Sequence, residues 1–264
     1  NKFRQAKNLI SCENDIHTVE GIKNLSRNKN VYFGIPDVIT SNTASPKLLK
    51  EDNLTIVSED GELILENIDR FKKLPEAKKV SKSLFMMHWY AKFFIHNAPH
   101  ALLAYLGWMK KYKFIHEAME DKKISTVVKK SMKEITDALI VTKLLEKKFA
   151  IKYMKKEINR FANKLLFDPI SRVAREPIRK LSPNNRIILS LRLGLFNPEL
   201  PKYTAMGVKA ALQYYDKNDS QSKYIKSLKS SMNENEILNK ISGIELDDPL
   251  NSFCINQNLK SILK

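Results

Sequence analysis

The segment Lys92-Phe-Phe-Ile-His-Asn97-Ala-Pro-His100 sets an amine, an amide and an imidazole within nine residues. An amine can take a proton, an amide can donate to a developing oxyanion, and an imidazole can orient a hydroxyl. On an ideal helix these side chains span an arc of about 140°, so they can converge on one cavity. A bend at Pro99, whose ring clashes with the preceding turn, would help. Their neighbours Leu84, Phe85, Trp89, Phe93, Phe94 and Leu102 are apolar. A lysine desolvated among them has its charged form disfavoured and can serve as a general base near neutral pH. Spacing alone favours a blander reading, in which Asn97 caps a helix, His100 is a satisfied core histidine and Lys92 snorkels to the surface.

The elements that position this segment change character along the chain. Residues 1–70 read as short strands: Asn8–Ser11, Val31–Ile35 ended by Pro36, Leu54–Ser58 and Glu62–Glu66. The last two flank Asp60-Gly61, a hairpin signal. From about residue 78 the apolar period becomes helical. Helices are predicted over Ser81–Ile95, from Asn97 with Pro99 in its first turn, over Lys122–Leu145, Phe149–Ala162, Tyr203–Tyr215 and Glu234–Ile241, and from Asp247-Asp248-Pro249 onward. The chain divides on this reading into 1–77, a strand and hairpin region, and 78–264, a helical domain.

Composition narrows the partners. The 264 residues, 43% of them hydrophobic, suffice for one large domain or a domain with an appendage. Cys12 and Cys254 form no disulfide framework, which points to the cytosol. No apolar run nears the roughly 20 residues that span a bilayer. A first residue of Asn rather than Met reads as a fragment or a processed product, and a fragment fits better. The net charge of +17 comes mostly from lysines scattered among acids, a solvated surface. Arginines differ: five of nine fall between 172 and 192, where a guanidinium can fork onto an oxyanion. The seven glycines form no G-x-G-x-x-G turn and no P-loop, so the chain carries no dinucleotide fingerprint. The five histidines stand in no H-E-x-x-H and the cysteines in no C-x-x-C, so no metal site is expected.

Four segments in order resemble the polyol-specific long-chain dehydrogenases, the mannitol dehydrogenase family. Asn8-Leu-Ile-Ser-Cys-Glu-Asn14 is similar to the family's N-I-I-A-C-E-N, and Lys92–Gly107 to its K-L-F-x-x-N-x-x-H-A-x-x-A-Y-L-G. Arg172-Val-Ala-Arg175-Glu-Pro-Ile-Arg179-Lys180-Leu-Ser-Pro-Asn-Asn-Arg186 resembles R-V-G-R-x-P-L-R-K-L-S-x-x-D-R-L, the form of the branch acting on mannitol 1-phosphate. Ile241-Ser-Gly243 is a weaker match. Val38 stands where the family usually has Arg, Pro99 where Gly is common, and Asn185 where Asp is usual.

The resemblance implies a mainly α fold. It is a multihelical C-terminal domain like that of 6-phosphogluconate dehydrogenase-like enzymes, preceded by a few strands left from an α/β nucleotide-binding domain. It implies NAD bound mainly by the missing N-terminal domain, no metal, and interconversion of mannitol 1-phosphate and fructose 6-phosphate, with the isolated chain inactive. Lys92 matches the catalytic lysine. Asn14 and Asn97 match asparagines that hold the alkoxide-like oxygen, and His100 one that orients a hydroxyl. Asp37 matches a substrate-contacting Asp, and Arg172 with Lys180 a basic pair at the polyol end. Arg175, Arg179 and Arg186 are candidates for the phosphate on chemistry alone. The expected partners are a sugar phosphate or polyol phosphate and NAD(H), with no nucleic acid or membrane and a monomeric, cytoplasmic protein. A relative acting on another polyol or sugar acid, a decayed fragment and, on charge alone, a nucleic-acid-binding helical protein stay open as alternatives.

Overall fold

Every strand of the described chain lies before residue 81 and helices fill the remainder, as the change of apolar period predicts. The structure is a computed structural model that describes residues 2–13, 16, 18–41, 43–74 and 76–263. The elements begin with α1 (Lys2–Gln5), β1 (Leu9–Ser11), α2 (Thr18–Ser26), β2 (Val31–Phe33), β3 (Ile35–Asp37), β4 (Thr40–Ser41), α3 (Pro46–Glu51), β5 (Val57–Ser58), β6 (Glu62–Glu66), β7 (Ala77–Val80) and α4 (Lys82–Tyr90). A π-helical segment, Ala91–Asn97, leads into α5 (Ala98–Met109). There follow α6 (Ile115–Glu120), α7 (Lys122–Val141), α8 (Lys147–Phe161), α9 (Ile170–Ala174), α10 (Pro177–Leu181), α11 (Arg186–Gly194), α12 (Lys202–Gln213), α13 (Ser220–Leu228), α14 (Glu234–Ser242), α15 (Pro249–Ile255) and α16 (Lys260–Leu263). None of the described helices is long and apolar enough to cross a membrane.

Packing groups the chain into two compact units, Asn1–Thr40 with Ser58–Lys92, and Ser41–Val57 with Phe93–Lys264. Residues 41–57 group with the helices of the second unit and residues 78–92 with the strands of the first.

In the first unit, β1 and β2 run parallel, joined through α2, in the β-α-β pattern of an α/β sheet. The run Val31–Ile35 breaks at Gly34, so β2 and β3 lie in different sheets. Pro36 is tolerated in β3 because β3 is an edge strand, antiparallel to β6, while β7 pairs β6 in parallel. The predicted Asp60-Gly61 hairpin is not formed: only Val57–Ser58 of the preceding run is strand, and it does not pair with β6. Gly61 serves another purpose, since a Cβ there would lie 2.7 Å from the Asp37 carbonyl and 2.6 Å from Val38 Cβ. The core joins Ile35, Ile64, Val80 and Phe85, with Phe33, Leu84, Met86 and Trp89 packed on it.

In the second unit, α5 is buried from Ala98 to Gly107 and packs against α6, α7, α9 and α12. A helix apolar all round belongs at the centre of a helical core. Gly107 lets its neighbours in, because a Cβ there would meet Ile170 Cδ1 at 2.6 Å and Ala118 Cβ at 2.8 Å. Helix α7 starts where the Asp121 carboxylate accepts from the amides of Lys123 and Ile124. It buries Ile124, Val127, Val128, Met132, Ile135 and Leu139 at helical spacing. Helix α14 is set by a capping box of Asn233 and Glu236 and stopped by Gly243 at φ 63°.

Candidate active site

The first unit holds Lys92 and Asp37 of the predicted site residues. Lys92 is part-buried, and its Nζ donates to the main-chain carbonyl of Pro36 in β3. That bond brings the amine to the strand carrying Asp37, which is itself buried. Burial raises the Cys12 thiol above its ordinary pKa, and the nearby Lys92 charge opposes that rise. Lys92, β3 and the end of β1 thus lie close together within the first unit. Asn14 lies outside the described residues.

Asn97 departs from the expectation that it caps a helix. Its backbone is right-handed helical (φ −65°, ψ −37°), and it makes no side-chain cap bond. The cause is the π winding, which carries Ser81–Ile95 and the following helix through Pro99 without a break. Pro99 sits in the first turn of α5, where its missing amide costs little. Asn97 is only 6% exposed, and its Nδ2 has no hydrogen-bond partner among the described residues.

His100, on α5, is buried in a built setting. Its ring stacks on Phe161 of α8 with centroids 4.9 Å apart and planes 10° apart, and the His96 ring lies 4.9 Å away. His100 Nε2 faces Asp168 Oδ2 at 3.3 Å. The other oxygen, Oδ1, receives Arg172 through Nε at 2.8 Å and through a terminal nitrogen at 2.6 Å. Burial alone would raise the Asp168 carboxyl, but the facing His100 and Arg172 outweigh it and hold it below the ordinary range. Behind His100, His96 Nδ1 meets Glu157 Oε2 at 2.5 Å, and Arg160 donates to Glu157 Oε1 at 2.7 Å. Burial pushes His96 down to about 4 although the Glu157 charge and bond pull the other way, so His96 is neutral.

Asp168, His96, Glu157 and Arg160 were not among the predicted site residues. A signal for three of them existed: Glu157 and Arg160 sit on the face of α8 that also carries Tyr153 and Phe161, and Asp168 precedes Arg172 by one helical turn.

The arginine-dense segment folds as α9 and α10 around Glu176, which takes a left-handed backbone at φ 59°. Lys180 is 3% exposed and donates to the Arg175 carbonyl. Burial, then the Arg186 and Arg179 guanidinium charges, lower its pKa to about 7. Arg179 is exposed and paired with Glu176 at 2.7 Å, Arg175 is exposed, and Arg186 is buried with Nε 3.2 Å from Asn185 Oδ1. Asn185 also caps α11, a task Asn and Asp perform alike. The segment therefore gathers Arg175, Arg179, Lys180 and Arg186, while Arg172 turns to Asp168.

Residues 86–248 match the family model of the mannitol dehydrogenase C-terminal domain. The chain is 33% identical over 237 residues to mannitol-1-phosphate 5-dehydrogenase of Buchnera aphidicola subsp. Acyrthosiphon pisum (strain Tuc7), covering 84% of this chain and 60% of that protein. It is 35% identical over 159 residues to mannitol-1-phosphate 5-dehydrogenase of Caldanaerobacter subterraneus subsp. tengcongensis, covering 60% of this chain and 41% of that one. The chain thus spans about 60% or less of the length of these relatives. In fold it resembles Pseudomonas fluorescens mannitol 2-dehydrogenase, solved as a ternary complex with NAD and D-mannitol (TM-score 0.70, 17% identity, 98% of this chain and 62% of that one). It also resembles D-sorbitol dehydrogenase in substrate-free form (TM-score 0.64, 19% identity, 97% and 58%).

Proposed function

The chain belongs to the mannitol dehydrogenase family, and on that premise we propose that its residues hold the substrate and move the proton in an NAD-dependent interconversion of mannitol 1-phosphate and fructose 6-phosphate. The observation that carries the reading is the Asn97 amide, buried and without a hydrogen-bond partner among the described residues. Leaving a buried donor unpaired costs about 1–3 kcal/mol. A substrate oxygen that gains negative charge as its proton leaves would repay that cost, most fully in the transition state.

In the proposed reaction Lys92 takes the hydroxyl proton, and Asn97, with Asn14 as second amide, donates to the resulting oxygen. One N–H of the lysine stays on Pro36 while the amine takes the proton. His100 holds a neighbouring hydroxyl, Asp37 another, and Arg172 and Lys180 the polyol end. Arg175, Arg179 and Arg186 face the phosphate.

The described residues do not fit a dinucleotide cradle. No glycine lies between β1 and the start of α2, where a pyrophosphate-binding turn would stand. We place the dinucleotide on a domain preceding this chain, of which residues 1–77 would be the end and 78–264 the catalytic partner. When bound, it supplies the hydride acceptor. A monomeric cytoplasmic protein without metal, nucleic-acid partner or membrane attachment completes the proposal.

The test is kinetic, on the complete gene product. Mannitol 1-phosphate should be oxidised with a higher kcat/KM than sorbitol 6-phosphate or free mannitol. Equal use of free mannitol would remove the phosphate from the proposal. Calorimetry on the 264 residues should show no tight NADH binding, and tight binding would overturn the placement of the cofactor.

A further inference from the structure

Asp168 lies outside the residues that the family resemblance singles out, yet its carboxylate stands between two that it does. One oxygen takes the Arg172 guanidinium and the other faces the His100 ring. His100 Nε2 and Asp168 Oδ2 are both shut off from solvent, and neither has a completed hydrogen bond among the described residues. Buried polar atoms are rarely left so. At 3.3 Å, each is the group in place to satisfy the other.

We infer that Asp168 is a positioning residue that fixes the His100 imidazole with its proton on Nε2, leaving Nδ1 as a hydrogen-bond acceptor for a substrate hydroxyl. Three features force the assignment. Arg172 and the surrounding charge keep Asp168 ionised, so it can only accept. Stacking on Phe161 and the tilted His96 ring beside it hold the ring facing Asp168. The remaining charges behind the ring are committed to one another: Glu157 takes His96 and Arg160. An imidazole with Nε2–H on a carboxylate presents a lone pair at Nδ1. His100 then accepts a hydrogen bond from a hydroxyl rather than donating one. The amide of Asn97, three residues earlier, can only donate through Nδ2, which has no partner among the described residues. The two side chains would thereby discriminate a hydroxyl from the oxygen that loses its proton.

The substrate half of this inference rests on the proposed dehydrogenase function, whereas the Asp168–His100 half does not. The full chain, labelled with 15N histidine, is examined by long-range proton–nitrogen correlation where the rings are neutral, with His100 assigned from the spectrum of His100→Gln. The expected result is a protonated-type shift at Nε2 and a lone-pair-type shift at Nδ1. In Asp168→Ala the two shifts should move toward a common average. Reversed shifts, or averaged shifts in the unmutated chain, overturn the inference whether or not the variant folds. Unchanged shifts in a folded Asp168→Ala chain overturn it as well. A chain with the expected tautomer whose complete enzyme turns over no polyol phosphate keeps the Asp168 assignment and removes the function.

Discussion

Lys92 donates through Nζ to the carbonyl of Pro36, 56 residues earlier, and so meets the edge strand β3 within the first unit. If the amine is the base, two replacements separate its two tasks. Lys92→Arg keeps a donor for Pro36 but cannot give up a proton, and Lys92→Met removes both. Both variants of the complete enzyme should lose about 10²–10⁴-fold in kcat. In Lys92→Arg, KM and melting temperature should stay close to those of the parent, since the lost interaction belongs to the transition state. A Lys92→Arg enzyme with undiminished kcat would place the base elsewhere.

The buried group behind His100 predicts how stability depends on pH. Folded His96 has a pKa of about 4 against an ordinary 6.5. Between those values the unfolded chain binds more protons than the folded chain, so stability falls as pH drops through that window, by about 3 kcal/mol in all. Above pH 6.5 this contribution is complete. Urea unfolding at a series of pH values should show the slope, and His96→Asn should flatten it. Glu157→Ala should destabilise the chain by about 3–5 kcal/mol, because it leaves the buried Arg160 without that carboxylate. A stability profile of His96→Asn parallel to that of the parent would sink the linkage.

The helices were legible where a single apolar stripe recurs, as on α7, whose buried Ile124, Val128, Met132, Ile135 and Leu139 follow the helical period. The π segment is not, because a period of 100° per residue does not describe Lys92–Asn97, and Pro99 points to a cap that the backbone does not use. Asp60-Gly61 misled in another way. Its glycine is needed for close approach to Val38 rather than for a turn between paired strands. The residue types at Lys92, Asn97 and His100 were legible from the motif, but Asp168 reaches His100 only through tertiary packing of α9 on α5, which no local spacing encodes.

Gly107 offers a test of the core that supports His100. Ala at this position would put a methyl 2.6 Å from Ile170 Cδ1 and 2.8 Å from Ala118 Cβ. The Ile170 terminus can turn aside, but the Ala118 Cβ is fixed to its helix. Gly107→Ala should destabilise by about 1–3 kcal/mol despite the better helix propensity of Ala. A rise in melting temperature would show that α5 and α6 part without cost.

Lys180 makes the phosphate proposal sensitive to pH. Burial and the Arg186 and Arg179 charges bring its pKa to about 7, so the amine loses its proton as pH rises through neutrality. A phosphate dianion seated among these groups would reverse the repulsion and favour the protonated amine. Binding of the phosphate ester should therefore take up a proton just above pH 7, and its KM should climb as pH rises further. KM for free mannitol should climb less. Arg175→Met and Arg179→Met test the same seat from the surface. Arg179 is already shared with Glu176, so Arg175 is the freer of the two to reach a ligand. A charge-assisted bond contributes about 1.5–3 kcal/mol, so loss of the contacting arginine should cut the preference for fructose 6-phosphate over fructose by roughly 10- to 150-fold. An unchanged preference in both variants would leave the phosphate to other residues.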